Sequence, residues 1–259
     1  MRIALGVEYD GQPFNGWQSQ PDGNTVQDVL QAALSEIAQR PVSVIAAGRT
    51  DTGVHAWEQV VHFDTEAVRP LSAWVRGCNA LLPKSVSVLW AQPVSEQFHA
   101  RFSATARSYR YCLLNRPVRP AVQQGQVGWF HLPLELERMQ AAAQCLLGEH
   151  DFSAFRAAEC QAKSPVKTLY QLDIRRDGEL FLFDLKANAF LHHQVRNFIG
   201  CLVYVGAGRQ PVEWLADVLA SRQRRFAAPT FSPAGLYLRQ IDYPAALLCR
   251  GELSAAGRW

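Results

Sequence analysis

VSVIAAGRTDTGVHAWEQVVHFD, residues 42–64, is the stretch on which the architecture turns. Its ends, VSVIAA (42–47) and QVVHFD (59–64), are short apolar runs rich in β-branched residues and read as strands. The middle, GRTDTGVHA (48–56), is polar and holds glycine at 48 and 53, so it reads as the connection between them.

The flanks complete the order. Residues 2–9 (RIALGVEY) read as a strand, and 25–38 place Val26, Val29, Leu30, Ala33 and Ile37 at helical spacing behind an Asn24-x-x-Gln27 start that resembles a capping box. LSAWVRGCNALL (71–82) is an amphipathic helix and VSVLWAQPV (86–94) a further strand. The first hundred residues therefore spell β-α-β-β-α-β, the ferredoxin-like order. The second half repeats it, with a strand at 107–115, a helix at 134–148 closed by Gly148, and two strands joined at Asp177-Gly178, a hairpin signal. A helix over 191–205, an extra helix near 212–220 and a last strand at 235–243 follow. The expected fold is α+β: two tandem ferredoxin-like halves, 1–104 and 105–248, followed by a tail, 249–259. Their strands would form one continuous, mixed, mainly antiparallel sheet with helices on one face and the other face open to a ligand. The loops 115–131 and 221–234 read as insertions over that open face, where binding loops tend to lie.

Composition narrows the function classes. At 48% apolar and 19% charged residues, the 259-residue chain falls among soluble globular proteins and away from disordered ones. The net charge is only +3, but 22 of the 26 basic residues are Arg. Guanidinium suits phosphate and ring contacts better than ammonium does, although biased base composition explains the ratio equally well. The longest apolar run, around Phe198–Gly208, falls short of the roughly 18 residues that span a bilayer, and the N-terminus lacks a secretion pattern. The expectation is a cytoplasmic protein that is not in a membrane. Six cysteines without a C-x-x-C pair argue against a zinc site and against a disulfide framework.

Three constellations carry chemistry. Arg49 and Asp51 lie two apart, so on extended backbone they share a side while Thr50 and Thr52 take the other. An exposed loop ion pair would contribute little. Here the glycine bracket and the short span between strands favour a catalytic Asp51, kept ionised by Arg49. His55 admits a hydrolase reading, but no G-x-S-x-G elbow accompanies it, and it is assigned a structural hydrogen bond. Neither His192-His193 nor Glu149-His150-Asp151 has H-E-x-x-H spacing, so no metal is expected. In RSYRY (107–111), Arg107, Tyr109 and Tyr111 share a strand face; Tyr109 offers a ring for a base and Arg107 a cation for a phosphate. In the helix NAFLHHQVRNFIG, His193, Arg196, Asn197 and Gly200 form one stripe, and Val195, Phe198, Ile199 and Leu202 the buried one. RQRRF (222–226) is a basic-aromatic patch suited to a phosphate backbone or simply to solvent.

Taken together, these segments resemble the TruA-type tRNA pseudouridine synthases nearly end to end. The resemblance rests on YDGQPFNGWQSQP (9–21), GRTDTGVHA (48–56), RSYRY (107–111), SPVK (164–167), FLHHQVRN (190–197) and GLYL (235–238). It implies two ferredoxin-like halves with RNA in the cleft between them, and isomerisation of uridine to pseudouridine at positions 38 to 40 of the tRNA anticodon arm. It puts the essential aspartate on Asp51, its arginine on Arg196 or Arg49, the tyrosine beside the base on Tyr109, and further substrate contacts on Arg107, His193, Asn197 and Leu236. Lys167 stands where arginine is commoner in that family. The implied reaction transfers no group and no electrons, so no cofactor is expected, and the implied assembly is a homodimer binding tRNA. The alternatives are a non-catalytic RNA-binding module and a metal-assisted phosphohydrolase. A carboxylate in a cationic groove repels phosphate, which favours chemistry over binding alone.

Overall fold

A computed structural model describes residues 1–248, and the tail expected at 249–259 lies outside them. The chain runs β1 (Arg2–Tyr9), α1 (Val26–Ala38), β2 (Ile45–Ala46), β3 (His55–Asp64), a π-helical turn (Ala73–Gly77) leading into α2 (Cys78–Leu81), and β4 (Val86–Val94). It continues through β5 (Ala106–Asn115), β6 (Gly128–Phe130), α3 (Leu136–Ala143), β7 (Gly148–Asp151), β8 (Val166–Asp177), β9 (Leu180–Ala187), α4 (Gln194–Gly206), α5 (Trp214–Ser221) and β10 (Leu236–Asp242). The fold is α+β, and its sheet pairing is mainly antiparallel; β10 with β3 and β5 with β6 are parallel pairings.

The contacts divide the chain into two compact units: Met1–Ala106 with the chain from Tyr237 onward, and Arg107–Leu236. In the first, β1 lies between β4 and β3, antiparallel to both. Register alone builds the core: Ile3 faces Phe63 and Leu5 faces Val61, so one face of the strands is continuously apolar. Trp74, fully buried, closes that face edge-on to Phe63 with ring centroids 5.2 Å apart. Each such fully buried side chain stabilises the fold by about 1.5–3 kcal/mol.

Several expectations shift here for identifiable reasons. The strand over 42–47 shrinks to two residues. Val42 N–H donates to Ser35 Oγ and Val44 N–H to Gln31 Oε1, so side chains of α1 take the donors a longer ladder would have used. At the other end of β3 His55 and Ala56 pair with Tyr237 and Leu238 of β10, the strand expected to close the second half. The helix cap falls one residue later than expected. Thr25 Oγ accepts from Asp28 N–H and donates to the Asp28 carboxylate, while Asn24 sits at φ 55.

In the second unit, β9 lies between β5 and β8, and β7 adds to the outside of β8, all antiparallel. The helix expected over 134–148 stops at Ala143, passes through a 3₁₀ turn, and Gly148 at φ 94 opens β7 instead of closing the helix. In the β8–β9 hairpin Asp177 pairs with Leu180, which makes Gly178 and Glu179 the loop, one residue beyond the expected pair. Gly178 at φ 58 occupies the first loop position, where positive φ favours glycine. Phe152, Phe155 and Phe198 are fully buried together; Phe155 and Phe198 meet edge-on at 4.8 Å. No helix among the described residues is long and apolar enough to cross a membrane.

Candidate functional site

The segment 48–56 is held from below by residues distant in sequence. Ala47 N–H bonds Val60 O, and Gln59 Nε2 donates to Gly48 O at 2.8 Å, tying its start to β3. Thr50 turns inward and is buried, its Oγ1 2.8 Å from the Tyr9 hydroxyl, while its carbonyl accepts from Trp17 N–H at 3.0 Å. Val54 N–H closes back on Asp51 O at 3.1 Å, with Gly53 at φ 76. With Thr50 anchored inside, Asp51 is half-buried and Arg49 exposed. The expected alternation ends at Thr52, which is exposed because it already belongs to the turn.

Residues 9–17 form the seat of this loop. Gly16 adopts φ 86, and a Cβ there would stand 2.8 Å from Thr50 O and 3.1 Å from Thr52 N; only glycine allows the two backbones to meet. Tyr9, Gly16, Trp17 and Gln59 are thus the supporting residues that the sequence reading left without a role. For the first three the signal was the aromatic, double-glycine run YDGQPFNGW (9–17) at the end of a strand. His55 opens β3, buried, with its Nδ1 accepting from Gly11 N–H at 3.1 Å and its ring stacked on Tyr237 at 4.6 Å. It is a structural hydrogen-bonder.

In the second unit, period two places Tyr109 beside Leu185 and Tyr111 beside Phe183, on the face that also carries Leu172 and Ile174. Tyr109 is half-buried, edge-on to Phe190 at 5.2 Å, and Arg107 Nη1 donates to Asn188 O at 2.9 Å. The turn from Asn188 into α4 therefore lies against both members of the expected base-and-phosphate pair. His193, at φ 63, precedes α4, its ring 4.0 Å from that of His192. Tyr111 is fully buried and donates to Ser232 O; burial raises its phenol well above the ordinary range, against the opposing charge of Arg196. On the other face Arg110 grips Asp184 through two bonds of 2.7 and 2.8 Å.

Two expectations about the α4 stripe change. The segment 224–231 packs on the α4 stripe rather than over an open sheet face: Phe231 N–H bonds Arg196 O and Arg196 Nε donates back to Phe231 O at 2.9 Å. Asn197 is completely buried, its Nδ2 donating to Phe155 O and its Oδ1 accepting from Arg224 and Thr230. Its amide, expected to face substrate, is hydrogen-bonded within the protein. Leu236 is likewise buried, its N–H on Pro233 O. Lys167 Nζ is taken up by the carbonyls of Ser164 and Val166, and burial lowers its pKa. The ligand types at 149–151 also serve the fold: His150 Nε2 bonds Leu147 O, and Asp151 Oδ1 accepts from Ser153 N–H and Oγ.

The first unit presents an anchored carboxylate, Asp51, and the second a half-buried tyrosine, Tyr109, on the same strand face as Arg107. A family model described as tRNA pseudouridine synthase matches residues 6–103 and 142–244. The chain is 62% identical over 243 residues to tRNA pseudouridine synthase A of Paraburkholderia xenovorans (strain LB400), covering 94% of this chain and 90% of that one. It is 63% identical over 243 residues to the enzyme of the same name from Dechloromonas aromatica (strain RCB), covering 94% and 93%. The chain belongs to the tRNA pseudouridine synthase family.

Proposed function

We propose that this protein isomerises uridine to pseudouridine in the anticodon stem-loop of tRNA, at positions 38–40, with Asp51, Tyr109 and Arg196 acting on one nucleotide lifted from its stack. Extrusion costs a few kcal/mol, which stacking on Tyr109 and arginine–phosphate contacts from Arg49 and Arg107 offset. His193, at the entry to α4, contributes to the same RNA contacts. The N1–C1′ bond breaks, the uracil turns while held, C5 bonds to C1′, and the C5 proton leaves as N1 gains one from solvent. Atoms and electrons balance without a co-reactant. Asp51 drives the first step, either by attack on C1′ or by taking the C2′ proton; a primary isotope effect from deuterium at C2′ belongs only to the second route. The protein acts as a homodimer in the cytoplasm, a reading supported by the family resemblance.

The observation that carries the function is the anchored presentation of one carboxylate, Asp51, within a chain whose two flanks both match the family. Asp51→Asn keeps the shape and removes the charge. Tritium release from tRNA labelled at uridine C5, in EDTA, is expected to fall at least a thousandfold while tRNA binding persists. Pseudouridine mapped by mass spectrometry at an ordinary rate in that variant would overturn the role given to Asp51; only its absence with the unaltered protein would leave the non-catalytic RNA-binding reading in its place.

A further inference from the structure

We propose that Arg224 is a positioning residue for Arg196, acting through the segment 227–231; the inference rests on the role given to Arg196 above. Arg224 lies in the basic run RQRRF, whose composition suits RNA phosphates. The structure turns it inward. Its Nη2 donates to Asn197 Oδ1 at 3.0 Å and to Thr230 Oγ1 at 3.1 Å, and its Nη1 to Ala227 O at 3.3 Å. Thr230 Oγ1 closes the ring by donating to the same Asn197 oxygen at 2.7 Å. One guanidinium thus joins both ends of the 227–230 arc to α4.

The arc lies along α4 with almost no clearance. A Cβ on Gly200 would stand 2.3 Å from Pro229 O, and Ala228 N–H reaches Cys201 Sγ at 3.4 Å. The arc ends at Phe231, whose carbonyl accepts from Arg196 Nε at 2.9 Å. That bond fixes the plane of the Arg196 guanidinium and with it the direction of the two terminal nitrogens. The stripe Arg196, Asn197, Gly200 is therefore a seat: glycine admits the arc, asparagine and Arg224 pin it, and the Arg196 guanidinium donates the bond at its end. The neighbouring Arg225, stacked over the half-exposed ring of Phe226 at 4.9 Å, and the exposed Arg222 remain outside this network.

The test separates positioning from phosphate contact. Arg224→Gln is expected to slow single-turnover tritium release at saturating protein by tenfold or more, with tRNA Kd within about twofold and an unchanged slope of log Kd on log salt. A phosphate contact would instead remove about 0.9 from that slope. In an Arg196→Ala background, Arg224→Gln is expected to add less than threefold. Thr230→Val, which keeps every charge, is expected to slow the step in the same direction and carries the test if Arg224→Gln does not fold. Weakened binding with a reduced salt slope and a normal rate at saturation overturns the proposal, as do multiplicative losses with Arg196→Ala. A normal rate for Arg196→Ala alone overturns the role given to Arg196 in the reaction, and the inference falls with it.

Discussion

Tyr9→Phe removes one oxygen and is expected to disable the site through Thr50. The Tyr9 hydroxyl and Thr50 Oγ1 are 2.8 Å apart, and both residues are buried. Phe keeps the ring that packs 5.8 Å from Trp17, so the change is confined to the hydrogen bond. Leaving a buried hydroxyl without its partner costs about 1–3 kcal/mol. The loop can recover that energy by rotating Thr50 toward water, and Asp51 is the next residue. A carboxylate displaced by about 1 Å costs roughly 100-fold in rate. Two measurements are needed: urea unfolding for stability and single-turnover tritium release for the chemical step. Tyr9→Phe and Thr50→Val are each expected to lose about 1–3 kcal/mol of stability and tenfold to 100-fold in rate. The double variant, in which both ends are apolar and of nearly unchanged shape, is expected to be more stable than the sum of the two losses allows, by at least 1 kcal/mol. Additive stability losses, or a full rate in Tyr9→Phe despite lowered stability, would refute the claim that this bond aims the carboxylate.

Two further outcomes concern the scaffold. Asp184→Asn breaks a doubly bonded pair whose side chains are only 8% and 14% exposed, so about 3–5 kcal/mol of stability should be lost, a drop of roughly 6–20 °C in Tm by calorimetry; Arg110→Met with Asp184→Leu should recover most of it, and a drop of less than about 2 °C in the single variant would contradict the buried-pair reading. Burial, with the charge of Arg2 second, lowers His62 to about 4 from 6.5, and its Nδ1 accepts from Ala100 N–H at 3.1 Å. Between those values the unfolded chain binds the extra proton, so stability falls as pH drops from 6.5 through 4, by up to roughly 3 kcal/mol. His62→Gln is expected to flatten the urea midpoint across that range; an unchanged acid slope would assign the effect elsewhere.

Much of this was legible in the chain because local patterns dictate local structure. The alternation in RIALGVEY and ELFLFDLKA sets β1 and β9, and helical spacing sets α1 and α4 within a few residues. Asp51 stood out because a short polar span between two strands has little room for charge without a purpose. Asn197 and Arg224 stayed open for the opposite reason: a polar stripe and a basic run look the same whether water, RNA or another segment covers them. Only the packed chain shows that the arc 224–231 lies on that stripe.

By itself, the sequence determines the succession of strands and helices, the period-two alternation that sets Asp51 and Thr50 on opposite sides, and the family to which those motifs belong. Each follows from backbone periodicity and residue chemistry within a dozen positions. The tertiary structure alone decides that β2 is cut short, that β10 pairs with the start of β3, and that Tyr9, Gly16, Trp17 and Gln59 support the loop while Arg224 turns inward. At Gly16 the reason is steric, and in the other cases a hydrogen-bonding group had more than one available partner. The choice among those partners was made by packing that no local pattern of residues encodes.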